Sequence, residues 1–208
     1  MRLSGAFLLN CELFALTLLF ALPLGLVVSF GSMSRCKPLA GLVKTFVWII
    51  RGTPLLLQLY FFFFLLPMMI PALETSASFS ITLALCLNSG AYVAEVIRAG
   101  ISAVDKGQTE AARSLGLNAR QTMTKVVFPQ AIKNILPALC NEFVSIIKET
   151  SLASTFFVGD LMTTYRTING VTYLSIEPLI IVGIIYFVLT FTLSKAIAVL
   201  ERRLKTSD

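Results

Sequence analysis

The chain has 208 residues, of which 56% are hydrophobic and only 13% charged, with a formal net charge of +6. A soluble domain carries about 25% charged residues, so this composition excludes an ordinary soluble fold. Several segments reach the roughly 18 apolar residues that a membrane span needs, and none alternates like a barrel strand. What remains is an all-α polytopic membrane protein. The excess of positive charge does not point to nucleic acid, because the basic residues fall in the loops between spans, the positive-inside pattern. The chain contains no His, so it has no imidazole metal site or imidazole proton relay. Its cysteines, Cys11, Cys36, Cys86 and Cys140, are far apart and form no Cys-x-x-Cys pair, which argues against a disulfide framework or a zinc site.

In chain order, the first span is expected over about 6–30, retained rather than cleaved, with Pro23 and Gly25 inside it and Glu12 near its outer interface. Arg35, Lys37 and Lys44 then mark a cytoplasmic loop. A second span, about 46–69, is interrupted at Arg51-Gly52-Thr53-Pro54, where Thr53 as N-cap and Pro54 at N1 read as a helix start. Pro67, Pro71 and Glu74 make a short outer loop. The third span, about 78–98, holds small residues that permit close helix packing, and places Asn88, Tyr92 and Glu95 on one face.

A polar stretch, 100–129, follows. Its first short helix carries Glu110 early, where a carboxylate suits the positive end of the dipole, and closes at Gly116, a residue suited to the left-handed C′ position. Its second helix starts from Asn118, with Gln121 in capping-box spacing. The fourth span, about 130–150, is the least apolar and carries Asn134, Asn141, Glu142, Lys148 and Glu149. It breaks at Glu149-Thr150-Ser151, an apolar piece from Leu152 to Val158 continues to Gly159-Asp160, and a polar outer loop runs on to about Ser175. The fifth span, about 176–200, ends in the basic tail Glu201-Arg202-Arg203-Leu204-Lys205. Five spans with the N-terminus outside and the C-terminus inside put most basic residues in the cytoplasm.

The polar stretch resembles the EAA loop of ABC importer permeases. Glu110-Ala111-Ala112 is followed by Gly116, nine residues, and Val126-Val127-Phe128-Pro129, with Val126 and Phe128 in place of the family's Ile and Leu. Arg51-Gly52-Thr53-Pro54-Leu55-Leu56 and the run from Asn88 to Arg98 are similar to the polar amino acid uptake branch of that family. So is Lys148-Glu149-Thr150-Ser151-Leu152, with Glu149 where the branch has Asp. The resemblance implies a type I importer permease, a single transmembrane domain over 1–208 in the bacterial inner membrane. It implies work as a homodimer or with a paired homologous permease, two ABC ATPase subunits below, an extracytoplasmic substrate-binding protein above, and membrane lipid around. Coupling to the ATPase is then assigned to Glu110, Ala111, Ala112, Arg113 and Gly116. Glu110 either pairs with a basic group on the ATPase or caps its own loop. No Gly-x-x-x-x-Gly-Lys-Ser/Thr run occurs, so no cofactor is expected on this chain, and ATP and Mg belong to the partner.

Charged groups inside a bilayer are costly and count as functional candidates. Glu142 and Glu149 lie seven apart on one face of the fourth span, about 10 Å along its axis. In one reading Glu142 bonds a neighbouring helix and Glu149 pairs with Lys148. In the other, the two acids receive the cationic groups of an amino acid, free N–H groups at the Thr150-Ser151 break receive its carboxylate, and Asn88 and Tyr92 complete the pocket. The acidic bias suggests arginine, lysine or histidine, whereas glutamine or cystine needs a single carboxylate. An ion-gradient carrier is disfavoured by the small number of spans and the lack of a visible repeat. A membrane enzyme is disfavoured by the lack of His or any nucleophile–base pair.

Overall fold

The structure, a computed structural model, describes residues 3–70 and 76–205, with side chains described as far as residue 199. Pro71 and Glu74 of the expected outer loop, and the side chains of the basic tail, lie outside the described residues. Among the described residues, ten α-helices follow in order. They are α1 (Leu3–Ser32), α2 (Lys37–Gly52), α3 (Leu55–Tyr60), α4 (Leu66–Met69), α5 (Ala77–Ser102), α6 (Lys106–Ser114), α7 (Ala119–Thr122), α8 (Phe128–Glu149), α9 (Leu161–Thr172) and α10 (Ile176–Lys205). No strand occurs among the described residues, as the composition requires.

Helix α5 is the axis of the bundle, packing against α1, α2, α3 and α8. Its most apolar window is 67% buried within the protein, against 11% for α10, which leans on α8 and α9 and otherwise presents apolar side chains outward. In a bilayer, lipid is as apolar as leucine, so helices associate through close packing and polar contacts rather than through the hydrophobic effect. Small residues supply the close packing. A methyl group added at Gly25 of α1 would lie 2.4 Å from Val93, and one at Gly90 of α5 would lie 2.7 Å from Leu24. The α1–α5 crossing exists because these two positions have no side chain. Farther along α5, a methyl at Gly100 would meet Ile135 of α8 at 2.3 Å.

Helices α1, α5 and α10 are long and apolar enough to cross a membrane, and the α2–α4 segment is a fourth candidate if its two parts are one span. Helix α8, expected as the fourth span, is long enough to cross at 22 residues, about 33 Å, but with Lys133, Glu142, Lys148 and Glu149 it is not apolar enough to stand with these candidates. The second span departs from its expected form. Residues 37–44 are the start of α2 rather than a loop, with Pro38 in its first turn. At Thr53 the chain turns by 106° before α3. Thr53 closes α2 instead of opening α3: its hydroxyl donates to the Ile49 carbonyl at 2.9 Å, and Pro54 occupies the cap position of α3. The reason is local. Pro54 cannot continue α2, and the residue before a proline is driven out of helical geometry. The polar segment expected as an outer loop is likewise helical, forming α9 capped by Asp160.

Two π-helical turns, Phe61–Leu65 and Met123–Val127, each end two residues before a proline, Pro67 and Pro129. Proline lacks an N–H and its ring crowds the carbonyl four residues earlier. Widening the turn ahead of it removes that conflict without breaking the helix.

Gly25→Ala therefore overpacks the α1–α5 crossing and should destabilise the fold by about 1–3 kcal/mol. Thermal unfolding in detergent should show a lowered midpoint, restored by Val93→Ala. Gly5→Ala, where nothing lies within 4 Å, should leave the midpoint unchanged.

Candidate functional site

The polar stretch folds as its sequence predicts at Gly116 and Asn118, but Glu110 falls in the middle of α6 rather than in its first turn, because the helix starts at Lys106 from the Asp105 cap. Asp105 caps α6, its carboxylate accepting from the Gly107 N–H at 2.6 Å. Gly116 takes φ +85°, and the Leu117 N–H reaches the Ala112 carbonyl while the Gly116 N–H reaches Arg113, the paired bonds of a Schellman ending. Asn118 and Gln121 then close the capping box at 2.9 and 3.0 Å. Both ends of the turn are thus satisfied internally, and the result is a rigid helix–turn–helix. Ala112 is buried beneath it, whereas Glu110, Ala111, Arg113 and Gly116 are exposed. Leu115, at the apex, is 81% exposed. Internal capping falls to Asp105 rather than Glu110, which leaves the Glu110 carboxylate facing outward. Gln130 at the start of α8 donates to Gln108 of α6 at 3.1 Å, so the knob is linked directly to α8.

The second set of residues lies within the bundle. Glu142 is half-buried on α8 and faces the Ser89 hydroxyl of α5, with Glu149 and Arg51 within electrostatic reach. Ser89 is fully buried, and its hydroxyl has no hydrogen-bond partner. Glu149 is also half-buried, and its Oε2 is buried without a hydrogen-bond partner. Lys148 beside it points to the surface, and no ion pair joins them among the described residues.

The neighbouring residues are already engaged. Asn88 is buried and donates to Gln58 Oε1 at 3.0 Å. Gln58 in turn donates to the Ile50 carbonyl at 2.7 Å and to the Thr53 hydroxyl at 2.9 Å. The amide thereby satisfies a carbonyl orphaned at the end of α2, and fixes the 106° bend against α5. The Tyr92 ring carries the Arg51 guanidinium at 5.1 Å from its centre, and Arg51 also lies 3.6 Å from Glu95, which Arg98 grips with two hydrogen bonds. Thr150 is fully buried, and its hydroxyl donates to the Ile147 carbonyl. Ser151 donates to Lys148 in the same way. Helix α8 passes straight into a 3-10 segment, Thr150–Phe156, so the expected fresh helix start at Thr150 is not formed. The two hydroxyls bond back to the preceding turn, which holds the chain helical through the break.

One residue that the spacing arguments passed over holds four elements together. Asn10, buried in α1, donates to Thr150 at 2.9 Å and to the Tyr186 hydroxyl of α10 at 3.0 Å, and accepts from the Leu161 N–H at the start of α9 at 2.9 Å. An Asn inside an apolar span was the available signal, since such a group must find partners. Asp160, fully buried, caps α9 through the Met162 and Thr163 N–H groups beside it.

With this arrangement in hand, residues 21–206 match the family described as the binding-protein-dependent transport system inner membrane component. The chain belongs to that family. It is 38% identical over 200 residues to the arginine transport system permease protein ArtQ of Bacillus subtilis, covering 96% of this chain and 91% of that protein. It is 37% identical to the L-cystine transport system permease protein TcyB of the same organism (97% and 86% covered). It is 36% identical to the putative glutamine transport system permease protein GlnP of Rickettsia bellii (96% and 91% covered). A crystal structure of an amino acid ABC transporter with histidines superposes with a TM-score of 0.91 at 43% identity, covering 97% of this chain and 93% of that one. The MetNI methionine ABC transporter in an inward-facing form, at 15% identity and a TM-score of 0.73, shares the fold. The chain is accordingly a permease subunit of an amino acid ABC importer, a transport component rather than an enzyme.

Asn10→Ala leaves the buried Leu161 N–H without its partner, which costs about 1–3 kcal/mol, and also removes the donor to the Thr150 and Tyr186 hydroxyls. Its unfolding midpoint should fall well below that of Tyr186→Phe, which removes a single one of these bonds. Equal losses in the two variants would mean that the Asn10 bonds to α9 and Thr150 contribute little.

Proposed function

We propose that this permease carries an amino acid with a positively charged side chain, of the arginine, lysine or histidine class, across the bacterial inner membrane. The observation that supports this most strongly is the pair of half-buried acids on α8, one of them with a buried carboxylate oxygen that has no hydrogen-bond partner. Removing an anion from water without a partner is expensive, and a cation arriving from the substrate offsets that cost. In this reading Glu142 and Glu149 receive the substrate's cationic groups. Asn88, Tyr92, Thr150 and Ser151 shape the surrounding wall through the bonds they already make. A neutral polar amino acid such as glutamine or cystine is the second reading. It is favoured by Arg51, whose charge reaches Glu142 and would leave a single free carboxylate.

The knob, residues 100–129, acts in this proposal as the coupling element. Two ABC ATPase subunits bind ATP and Mg and close on each other. Glu110, Ala111, Ala112, Arg113 and Gly116 pass that movement to α5 and α8 as a rigid-body displacement. The outward carboxylate of Glu110 suits a basic partner on the ATPase. A second permease, identical or homologous, completes the pathway, and an extracytoplasmic binding protein delivers substrate. The N-terminus lies outside and the C-terminus inside, an orientation supported by Lys44, Arg98, Lys106, Arg113 and Arg120 falling at the knob end of the bundle.

Glu142→Gln should reduce uptake of arginine by tenfold or more, about 1.4 kcal/mol, while leaving glutamine uptake nearly unchanged. Competition assays in proteoliposomes that show equal effects on both would exclude the basic-substrate reading. Glu110→Lys should sever ATP hydrolysis from transport, and substrate-stimulated hydrolysis and uptake at the level of the unmodified complex would remove Glu110 from the coupling interface.

A further inference from the structure

At the knob end of the bundle, α2 lies against α5 over a cavity of about 550 Å³. Its wall carries three cations, Lys44, Arg51 and Arg98, against one carboxylate, Glu95, with Trp48 at its edge. Trp48 is 82% exposed, among the most exposed large side chains of the molecule. Helix α2 is two-faced around its axis. Lys37, Lys44 and Arg51 recur every seven residues and so align on one side, next to Trp48. Leu39, Leu42 and Ile49, all exposed, lie on the far side, while Ala40 and Val47 face the bundle. A helix with an apolar exposed face, an aligned basic stripe and a tryptophan between them has the make-up of one that lies in the membrane–water interface. The 106° turn into α3 fits this placement, since a helix lying in the interface must turn sharply to enter the bilayer.

We infer that the α2–α5 cavity binds the headgroup of an anionic phospholipid. Lys44 and Arg98 address the phosphate, Trp48 sits at headgroup depth, and the acyl chains lie along the apolar side of α2. Charge complementarity selects the occupant. Glu95 is already held by Arg98 and approached by Arg51, so the wall keeps an excess of positive charge that a zwitterionic lipid does not match. Because α2 leads through the Gln58 bend to Asn88 of α5, a lipid seated here bears on the position of a helix next to the acids of α8.

The test is native mass spectrometry of the permease–ATPase complex in detergent, titrated separately with phosphatidylglycerol and phosphatidylcholine. Phosphatidylglycerol should be retained at least fivefold more tightly, and Lys44→Gln or Arg98→Gln should each cut that preference by roughly fivefold, the effect of one basic charge at a membrane surface. Lys44 is exposed, so its replacement does not threaten folding. Equal retention of the two lipids, or an unchanged preference in Lys44→Gln, would overturn the site. Displacement of phosphatidylglycerol by millimolar inorganic phosphate with no dependence on the acyl chains would overturn it as a lipid site. A Trp48→Cys substitution in a Cys36→Ser background that cross-links two permease copies in membranes would show that a second subunit covers this face instead. Absence of that cross-link, together with the lipid preference, supports the inference.

Discussion

The crossing of α1 and α5 at Gly25 and Gly90 is the contact on which the rest of the bundle depends. Inside a bilayer no hydrophobic force gathers helices, so stability comes from how closely backbones approach and from how completely polar groups are paired. Two glycines facing Val93 and Leu24 permit the approach. With α5 fixed against α1, the same helix presents Ser89 to Glu142, Asn88 to Gln58, and Tyr92 with Glu95 to Arg51. One helix thus faces the acids, the bend and the charged cluster within about three turns.

Polar locks then secure the pieces that glycine packing does not reach. Gln58 ties the α2–α3 bend to α5, and Asn10 joins α1 to Thr150, α9 and α10. Each uses a side-chain amide, which offers two donors and one acceptor at a single point. These amides do what a loop would do in water, fixing the ends of helices whose last carbonyls and first N–H groups have no partner within the helix. Glu149 contrasts with them. It has a buried oxygen and no partner, which sets it apart from groups whose role is to hold the fold.

The knob and the interior are connected through continuous helix. The Schellman ending at Gly116 and the capping box at Asn118 make the turn stiff, and Gln130 couples α6 to the root of α8. The π-turn ahead of Pro129 keeps that root unbroken. Helical geometry therefore runs unbroken from the capping box into α8. Glu142 and Glu149 ride on that same helix.

Much of this was written in the linear order of residues. Long apolar runs, the Glu110 to Gly116 spacing and the Asn118–Gln121 pair each specify local structure through interactions a few residues apart, and these fold as the spacing dictates. Membrane residence and the helix–turn–helix knob follow from such short-range terms. The 106° bend at Thr53, the helical course of residues 161–172 and the continuation through Thr150 join local terms to distant ones. Pro54 breaks α2 but Gln58 sets the bend against α5, Asp160 caps α9 while Asn10 holds its first N–H, and Thr150 bonds both to the preceding turn and to Asn10. Asn10 and Thr150 are 140 residues apart, and Gln58 and Asn88 are 30 apart. Partners at such separations leave no periodic trace. An isolated Asn or Gln in an apolar span announces that it must be satisfied, but only the packed bundle selects what satisfies it.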